Sequence, residues 1–428
     1  MTLSEINSRP LAGMTKGWPP TSPAACHSEV AAMGWNLLRG DLPLPVMIIR
    51  DSALERNERW MQALRKTTGI LMAPHGKTTM CPQLFQRQLD GGAWAITVAT
   101  VHQLVVCRHF GIQRVVLANQ LIGRQEIDYV VAELAADRQF EFFCLVDSIR
   151  AVELLAQSID RNPPGRPLKV FVEGGAAGGR TGCRSIEDAL KVARAIKASE
   201  GRIALCGVEG FEGLDTKADD GAIRAFLQFL VGIAEACEES NLFEEGEVIL
   251  SAGGSAFFDL VIESFSRAGL RSPVKILTRS GCYITHDSAM YSRAFERILG
   301  RSPELEELAP PLEAAIEVWA YVQSRPELGK ALLTIGKRDV SYDVEFPIPL
   351  SWLRPGLDAN PQPIPAGHVV TGLNDQHTHM ALPPDSPLQV GDMVSFGISH
   401  PCTTFDKWQN IFLVDDRYNV VGSLRTYF

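Results

Sequence analysis

Eight short apolar or β-branched runs recur through the middle of this 428-residue chain, each followed by a stretch of helical pattern. They are 70–73 (ILMA), 94–98 (WAITV), 114–118 (RVVLA), 141–146 (EFFCLV), 168–173 (LKVFVE), 203–208 (IALCGV), 247–251 (EVILS) and 274–278 (VKILT). Their starts lie 24, 20, 27, 27, 35, 44 and 27 residues apart, room in each case for one helix and two loops. Near-continuous apolar strands joined by helical crossovers form a parallel sheet covered on both faces. Eight of them predict a closed (β/α)8 barrel of the TIM type, with an open doubly wound sheet as the structural alternative.

An earlier run, PVMIIR at 45–50, leads into the amphipathic SALERNERWMQALRKTTG and is expected to feed the first barrel strand. After about residue 300 the helical rhythm fades. AIEVWAYVQS, HVVTGL, DMVSFGIS and NIFLVDD are β-type runs punctuated by Pro and Gly, which predicts a C-terminal β domain. The division is therefore 1–44 as an extension packing on the C-terminal domain, 45–300 as the barrel, and 301–428 as the β domain.

The net charge of −9 disfavours nucleic acid, whose phosphates need a basic face. There is no run of 18 apolar residues and no apolar core in MTLSEINSRPLAGMTKGW, so neither a membrane span nor a signal peptide is expected, and the protein is expected to be cytoplasmic. The nine cysteines, at 26, 81, 107, 144, 183, 206, 237, 282 and 402, contain no CxxC pair. In that compartment they are expected to be mostly buried small hydrophobes rather than a disulfide framework.

Function in such a barrel sits at the C-terminal ends of the strands. After the first strand comes Pro74-His75-Gly76-Lys77-Thr78-Thr79. A lysine buried there has a lowered pKa and forms a Schiff base; the alternative is an exposed loop lysine. After the fifth comes GGAAGGRTGCR, in which Arg180 either enters the barrel mouth or is solvated on a surface loop. After the seventh, Gly253, Gly254 and Ser255 leave backbone N–H groups free to cradle a phosphate. After the eighth stand Arg279, Gly281, Cys282 and Tyr283. Small-residue loops after strands seven and eight are a recurrent phosphate site in this architecture. In the C-terminal region His400-Pro401-Cys402 sets an imidazole and a thiol at i and i+2, a pair suited to zinc; the alternative is a buried Cys and a satisfied His.

PHGKTTMCP, GGRTG, the GGS loop, SGCY and the terminal HPC together resemble the fold-type III pyridoxal-phosphate enzymes, the alanine racemase fold, over roughly residues 40–428. The nearest branch is the D-serine dehydratase and D-threonine aldolase group. The resemblance implies that Lys77 holds pyridoxal 5′-phosphate as an internal aldimine and moves protons at Cα, with His75 beside it. It implies that Arg180 faces the ring hydroxyl side and that Gly253, Gly254 and Ser255, with backbone from Gly281 and Cys282, bind the phosphate. Arg279 or Tyr283 would lie near the ring. His400 and Cys402 would hold Zn2+ or another divalent metal, with His377 as a neighbour. A Cys as second ligand resembles the dehydratases, where the aldolases carry Asp.

The implied reaction is loss of the β-hydroxyl of a D-3-hydroxy amino acid, giving a 2-oxo acid and ammonia. The alternatives are a D-threonine-type aldolase and a non-catalytic cofactor-binding protein. A homodimer is also implied. The chain departs from the family pattern at Thr79, where a His is common, at Glu173, where Asp is usual, and in the AAGG lengthening before Arg180.

Overall fold

The computed structural model describes residues 3–213, 219–244 and 246–428. The chain divides into two compact units, one made of 62–77 and 88–281, the other of 2–61, 78–87 and 282–428.

The first unit is built on eight parallel strands: β1 (Leu71–Met72), β2 (Ile96–Val98), β3 (Arg114–Gln120), β4 (Glu141–Val146), β5 (Leu168–Gly174), β6 (Ile203–Gly210), β7 (Val248–Ser251) and β8 (Val274–Thr278). They follow one another from β2 to β8 in spatial order, and β8 then pairs with β1. The N–H groups of Trp94 and Thr97 donate to the carbonyls of Met72 and Pro74, so the chain entering and forming β2 returns to β1 and closes the ring. This is the eight-stranded barrel expected from the spacing.

Its interior is packed rather than hollow. Ala73, Ala95, Val116, Phe143, Leu145, Phe171, Ile249 and Leu277 form one buried cluster, and Phe143 stacks on Phe171 at 5.3 Å and 7°. The N-terminal end is closed by charge: Lys169 Nζ lies 2.9 Å from Glu141, which also takes the Arg114 guanidinium, and Arg114 lies over the Trp94 ring. Crossover helices start where side chains cap them. Thr100, Ser148 and Ser185 each accept from the N3 backbone N–H of the helix they precede.

The second unit carries a sheet in the order Gln362–Pro363, Ile348–Leu353, Met393–Gly397, Ile316–Glu327, Lys330–Leu333, Thr378–Ala381, Val369–Leu373. Strand Val46–Arg50 belongs here and not to the barrel. It pairs antiparallel with Ile316–Glu327 and parallel with Asn410–Val414. The N-terminal segment packs on this sheet, because Leu11, Trp18, Val30, Trp35 and Leu42 bury with Trp319, Leu353 and Phe412 in one cluster. Segment 78–87 is held to the last strand, Val420–Arg425, by hydrogen bonds from Gln83 Nε2 to the Ser423 carbonyl and from the Arg425 N–H to Gln83 Oε1.

Among the described residues no helix is long and apolar enough to cross a membrane.

Candidate active site

Side chains alternate along a strand, so the rows that fill the barrel interior with Phe171 and Ile249 end, at their C-terminal rungs, in polar residues. Glu173 pairs with Glu209 and Glu209 with Ser251 across β5, β6 and β7. All three side chains are buried.

Arg279, one residue beyond β8, crosses to them. It donates to Ser251 Oγ at 2.8 Å and pairs with Glu209 Oε1 at 2.5 Å, the two charged side chains being 6% and 2% exposed. Burial drives the Glu209 carboxyl up; the Arg279 charge opposes that, Glu173 and Glu212 add to it, and the result is about 7. Glu209 Oε2 and His75 Nδ1 are buried without a hydrogen-bond partner among the described residues.

His75 lies between β1 and β2, bridged to Thr97. Burial first, then the charges of Lys77, Arg279 and Arg180, hold its pKa well below the usual imidazole value. The imidazole is therefore neutral, and three cations stand within electrostatic reach of it.

Lys77 itself sits in the 3-10 turn Gly76–Thr78 and is exposed. The expectation that burial activates it is thus corrected: a two-residue β1 ends before Pro74, and the turn carries the side chain outward. Arg180 is also exposed, on an excursion closed at its base by the bridge from Gly174 to Cys183. Its guanidinium lies over the Phe211 ring at 5.3 Å.

The loops after β7 and β8 are tied together. Arg279 N–H donates to the Gly253 carbonyl and Ser280 Oγ to the Gly254 carbonyl. Gly253 has φ +93°, a conformation that L side chains rarely adopt. The N–H groups of Gly253 and Gly254 both point at the Glu212 carboxylate, at 2.9 and 3.0 Å. Two backbone donors thus converge on one anion. Ser255 is half-buried at the end of this loop and Gly281 is buried.

These groups fit pyridoxal phosphate. The amine is accessible, the paired N–H groups already take a two-oxygen anion, and two buried polar atoms lack partners.

The second unit holds the imidazole and thiols. His400 Nδ1 bonds Asp343 Oδ2 at 2.6 Å, and Thr403 Oγ1 donates to Asp343 Oδ1. Asp343 therefore fixes the imidazole through Nδ1 and leaves Nε2 as the nitrogen that would take a metal. Cys402 Sγ lies 3.5 Å from Thr78 Oγ1 and 3.9 Å from Cys282 Sγ, and Cys282 Sγ is 3.9 Å from Thr78 Oγ1. Hydrogen bonding from Cys282 holds the Cys402 thiol well below its ordinary pKa; burial opposes this, and His400 adds to the lowering. Burial lowers the His400 imidazole, but the Cys402 and Asp343 contacts outweigh it and raise it to about 9.

Among the described residues no three His, Cys, Asp or Glu side chains stand ready to hold a metal. An oriented imidazole beside a thiol that favours its thiolate nevertheless fits zinc with open positions. Asp343→Asn is expected to weaken divalent-metal binding by about 10–100-fold, read by competition with a chelating dye.

The remaining expected residues divide between these settings. The Cys282 side chain stands with the thiol group of the second unit, and only its backbone was expected at the phosphate. Tyr283 is buried in the turn Cys282–Ile284. The His377 carbonyl closes a hairpin by accepting from the Asn374 N–H, and no hydrogen bond described for it reaches His400 or Cys402. Glu209, Glu212, Asp343 and Thr78 escaped the sequence reading. Glu209 ends a strand and Glu212 follows it in EGFEG, where nothing local names the donors they meet, and Asp343 lies 57 residues from its histidine.

Comparison with known proteins places this geometry. The "Alanine racemase, N-terminal domain" model matches residues 49–290, and the "Putative serine dehydratase domain" model matches 315–414. A D-threonine aldolase from Arthrobacter sp is 23% identical over 380 residues, covering 87% of this chain and 89% of the relative. The crystal structure of D-threonine aldolase from Filomicrobium marinum aligns with TM-score 0.74 at 22% identity, over 92% of this chain and 97% of that one. D-threo-3-hydroxyaspartate dehydratase from Delftia sp. HT23 aligns with TM-score 0.71 at 20% identity, over 92% and 99%. Mutants of a D-threo-3-hydroxyaspartate dehydratase were solved with a histidine, and with a cysteine two residues later, changed to alanine, the latter in a metal-free form. The chain belongs to the alanine racemase N-terminal domain family, the fold-type III pyridoxal-phosphate enzymes, and carries behind its barrel the domain of their D-serine dehydratase and D-threonine aldolase branch.

Proposed function

We propose that this pyridoxal-phosphate lyase is a dehydratase of D-3-hydroxy amino acids, removing the β-hydroxyl to release a 2-oxo acid and ammonia with the help of a zinc ion. The observation that carries the choice is the residue type: a cysteine, Cys402, stands two residues from an imidazole that Asp343 orients. The spacing of His400 and Cys402 equals that of the histidine and cysteine changed in the dehydratase mutants.

Bound, the cofactor supplies an electron sink for Cα and the metal a Lewis acid for the departing hydroxyl. The chain's own residues do the rest. Lys77 Nζ would hold the cofactor and, once free, moves the proton at Cα. The Gly253 and Gly254 N–H groups would orient the phosphate. His75, kept neutral, adds no fourth cation beside Lys77, Arg279 and Arg180. His400 Nε2 and Cys402 Sγ would hold the metal, and Asp343 keeps the imidazole turned the right way.

The second reading is an aldolase that splits Cα–Cβ, favoured by the match to D-threonine aldolase over most of the chain. Cofactor and metal serve both reactions, so the fold does not choose between them.

Cys402→Ala is expected to remove stoichiometric zinc and to lower 2-oxo acid release from D-serine by at least about 10²-fold. Metal analysis and a 2-oxo acid assay, each with and without chelator, check this. Activity that survives both the chelator and the substitution unchanged contradicts the metal's role.

A further inference from the structure

The anion on the Gly253 and Gly254 donors is part of the protein itself. Glu212 follows β6, is 6% exposed, and places one carboxylate oxygen on each N–H, at 2.9 and 3.0 Å. Paired backbone donors of this kind form an anion-binding concavity, and bonds to a charged acceptor are the stronger class. The cofactor's phosphate needs the same donors under the function proposed above, on which this inference rests. Each N–H donates once, so carboxylate and phosphate exclude one another there.

We propose that Glu212 is a displaceable plug of the phosphate cradle: it occupies the Gly253 and Gly254 N–H groups in the cofactor-free chain and is expelled by the phosphate of pyridoxal 5′-phosphate. Its neighbours favour release. Glu212 acts on Glu209 as a like charge, within a cluster that also includes Glu173, so its departure relieves repulsion. The plug keeps the donors satisfied while the cofactor is absent, where buried bare N–H groups would be costly. It also sets a threshold, because only a ligand whose anion outcompetes a carboxylate seats fully. Cofactor vitamers without the phosphate gain nothing from the cradle.

The test is an equilibrium titration of cofactor-free full-length chain with pyridoxal 5′-phosphate and, in parallel, with pyridoxal, which lacks the phosphate. Binding is read by visible absorbance and by quenching of protein fluorescence, in wild type, Glu212→Gln and Glu212→Asp. Gln removes the charge; Asp keeps the charge but is one methylene too short to plug the cradle. The expected result is a Kd for pyridoxal 5′-phosphate about tenfold or more tighter in both variants, with pyridoxal affinity unchanged. Unchanged or weaker phosphate-form binding in variants that keep wild-type circular dichroism overturns the proposal, as does an equal gain for both ligands. Absence of any coloured adduct in wild type and variants alike overturns the cofactor reading and this inference with it, a result distinct from equal affinities.

Discussion

The Lys77→Ala chain is expected to stay colourless with pyridoxal 5′-phosphate and to lose turnover by about 10⁴-fold or more, equivalent to roughly 5.5 kcal/mol of barrier at 1.36 kcal/mol per tenfold. The argument is chemical. A primary amine is needed both to hold the aldehyde and to move the Cα proton, and a methyl group does neither. Lys77 stands exposed in the turn after β1, near His75, which burial and then the Lys77, Arg279 and Arg180 charges hold well below the usual imidazole pKa. The neighbourhood keeps two cations when the lysine is lost, so anion attraction alone survives. Lys77→Arg separates the two roles: it restores the charge but not the amine, and is expected to lose as much turnover as Lys77→Ala. An absorbance scan and a 2-oxo acid assay check both variants. A coloured, active Lys77→Arg would show that charge, not nucleophilicity, matters at this position.

The largest expected effect on stability is at Glu209. Its carboxylate and the Arg279 guanidinium are paired at 2.5 Å, both almost fully out of water. Removing one partner leaves a buried charge uncompensated and typically costs about 3–5 kcal/mol, whereas replacing both by apolar groups is close to neutral. Glu209→Ala is therefore expected to lower the barrel's Tm by roughly 10 °C. The double variant Glu209→Leu with Arg279→Met is expected to regain most of that. Calorimetry of the cofactor-free chains checks it. A single variant as stable as wild type would mean that Arg279 finds water or another carboxylate, and that the pair does not lock the C-terminal rungs of β6 and β7 to the loop after β8.

The barrel was legible because its strands are buried on both faces. Each reads as a run of apolar residues such as EFFCLV or LKVFVE, and the spacing leaves room for little but a crossover helix. Strand Val46–Arg50 shows the limit of that reasoning. VMIIR is as apolar as any barrel strand, and nothing local records that it pairs with Ile316–Glu327. Lys330–Leu333 and Ile348–Leu353 were not read either, being short or interrupted by Pro349 and only partly buried. In the candidate site, chemistry-bearing loops were visible where small residues mark a close approach, as at Gly253 with its positive φ. Asp343 had no such mark, and Gly210 and Gly213 beside the two glutamates do not say which donors those carboxylates meet. A lone carboxylate at a strand end looks like the end of a strand, and its partner is revealed only when the fold brings Arg279 or His400 to it. Whether Lys77 is buried or exposed stayed open in the sequence, since it depends on where β1 stops.

The choice between the two lyase reactions reduces to one bond. With D-threonine as the single substrate and zinc and pyridoxal 5′-phosphate present, the products are quantified together. Loss of the β-hydroxyl gives 2-oxobutanoate and ammonia in equal amounts; cleavage of Cα–Cβ gives glycine and acetaldehyde. Cys402 as a metal ligand, as proposed, predicts 2-oxobutanoate and ammonia as the dominant pair. Glycine and acetaldehyde in its place would contradict the dehydratase account and make the chain an aldolase that carries a cysteine at its metal.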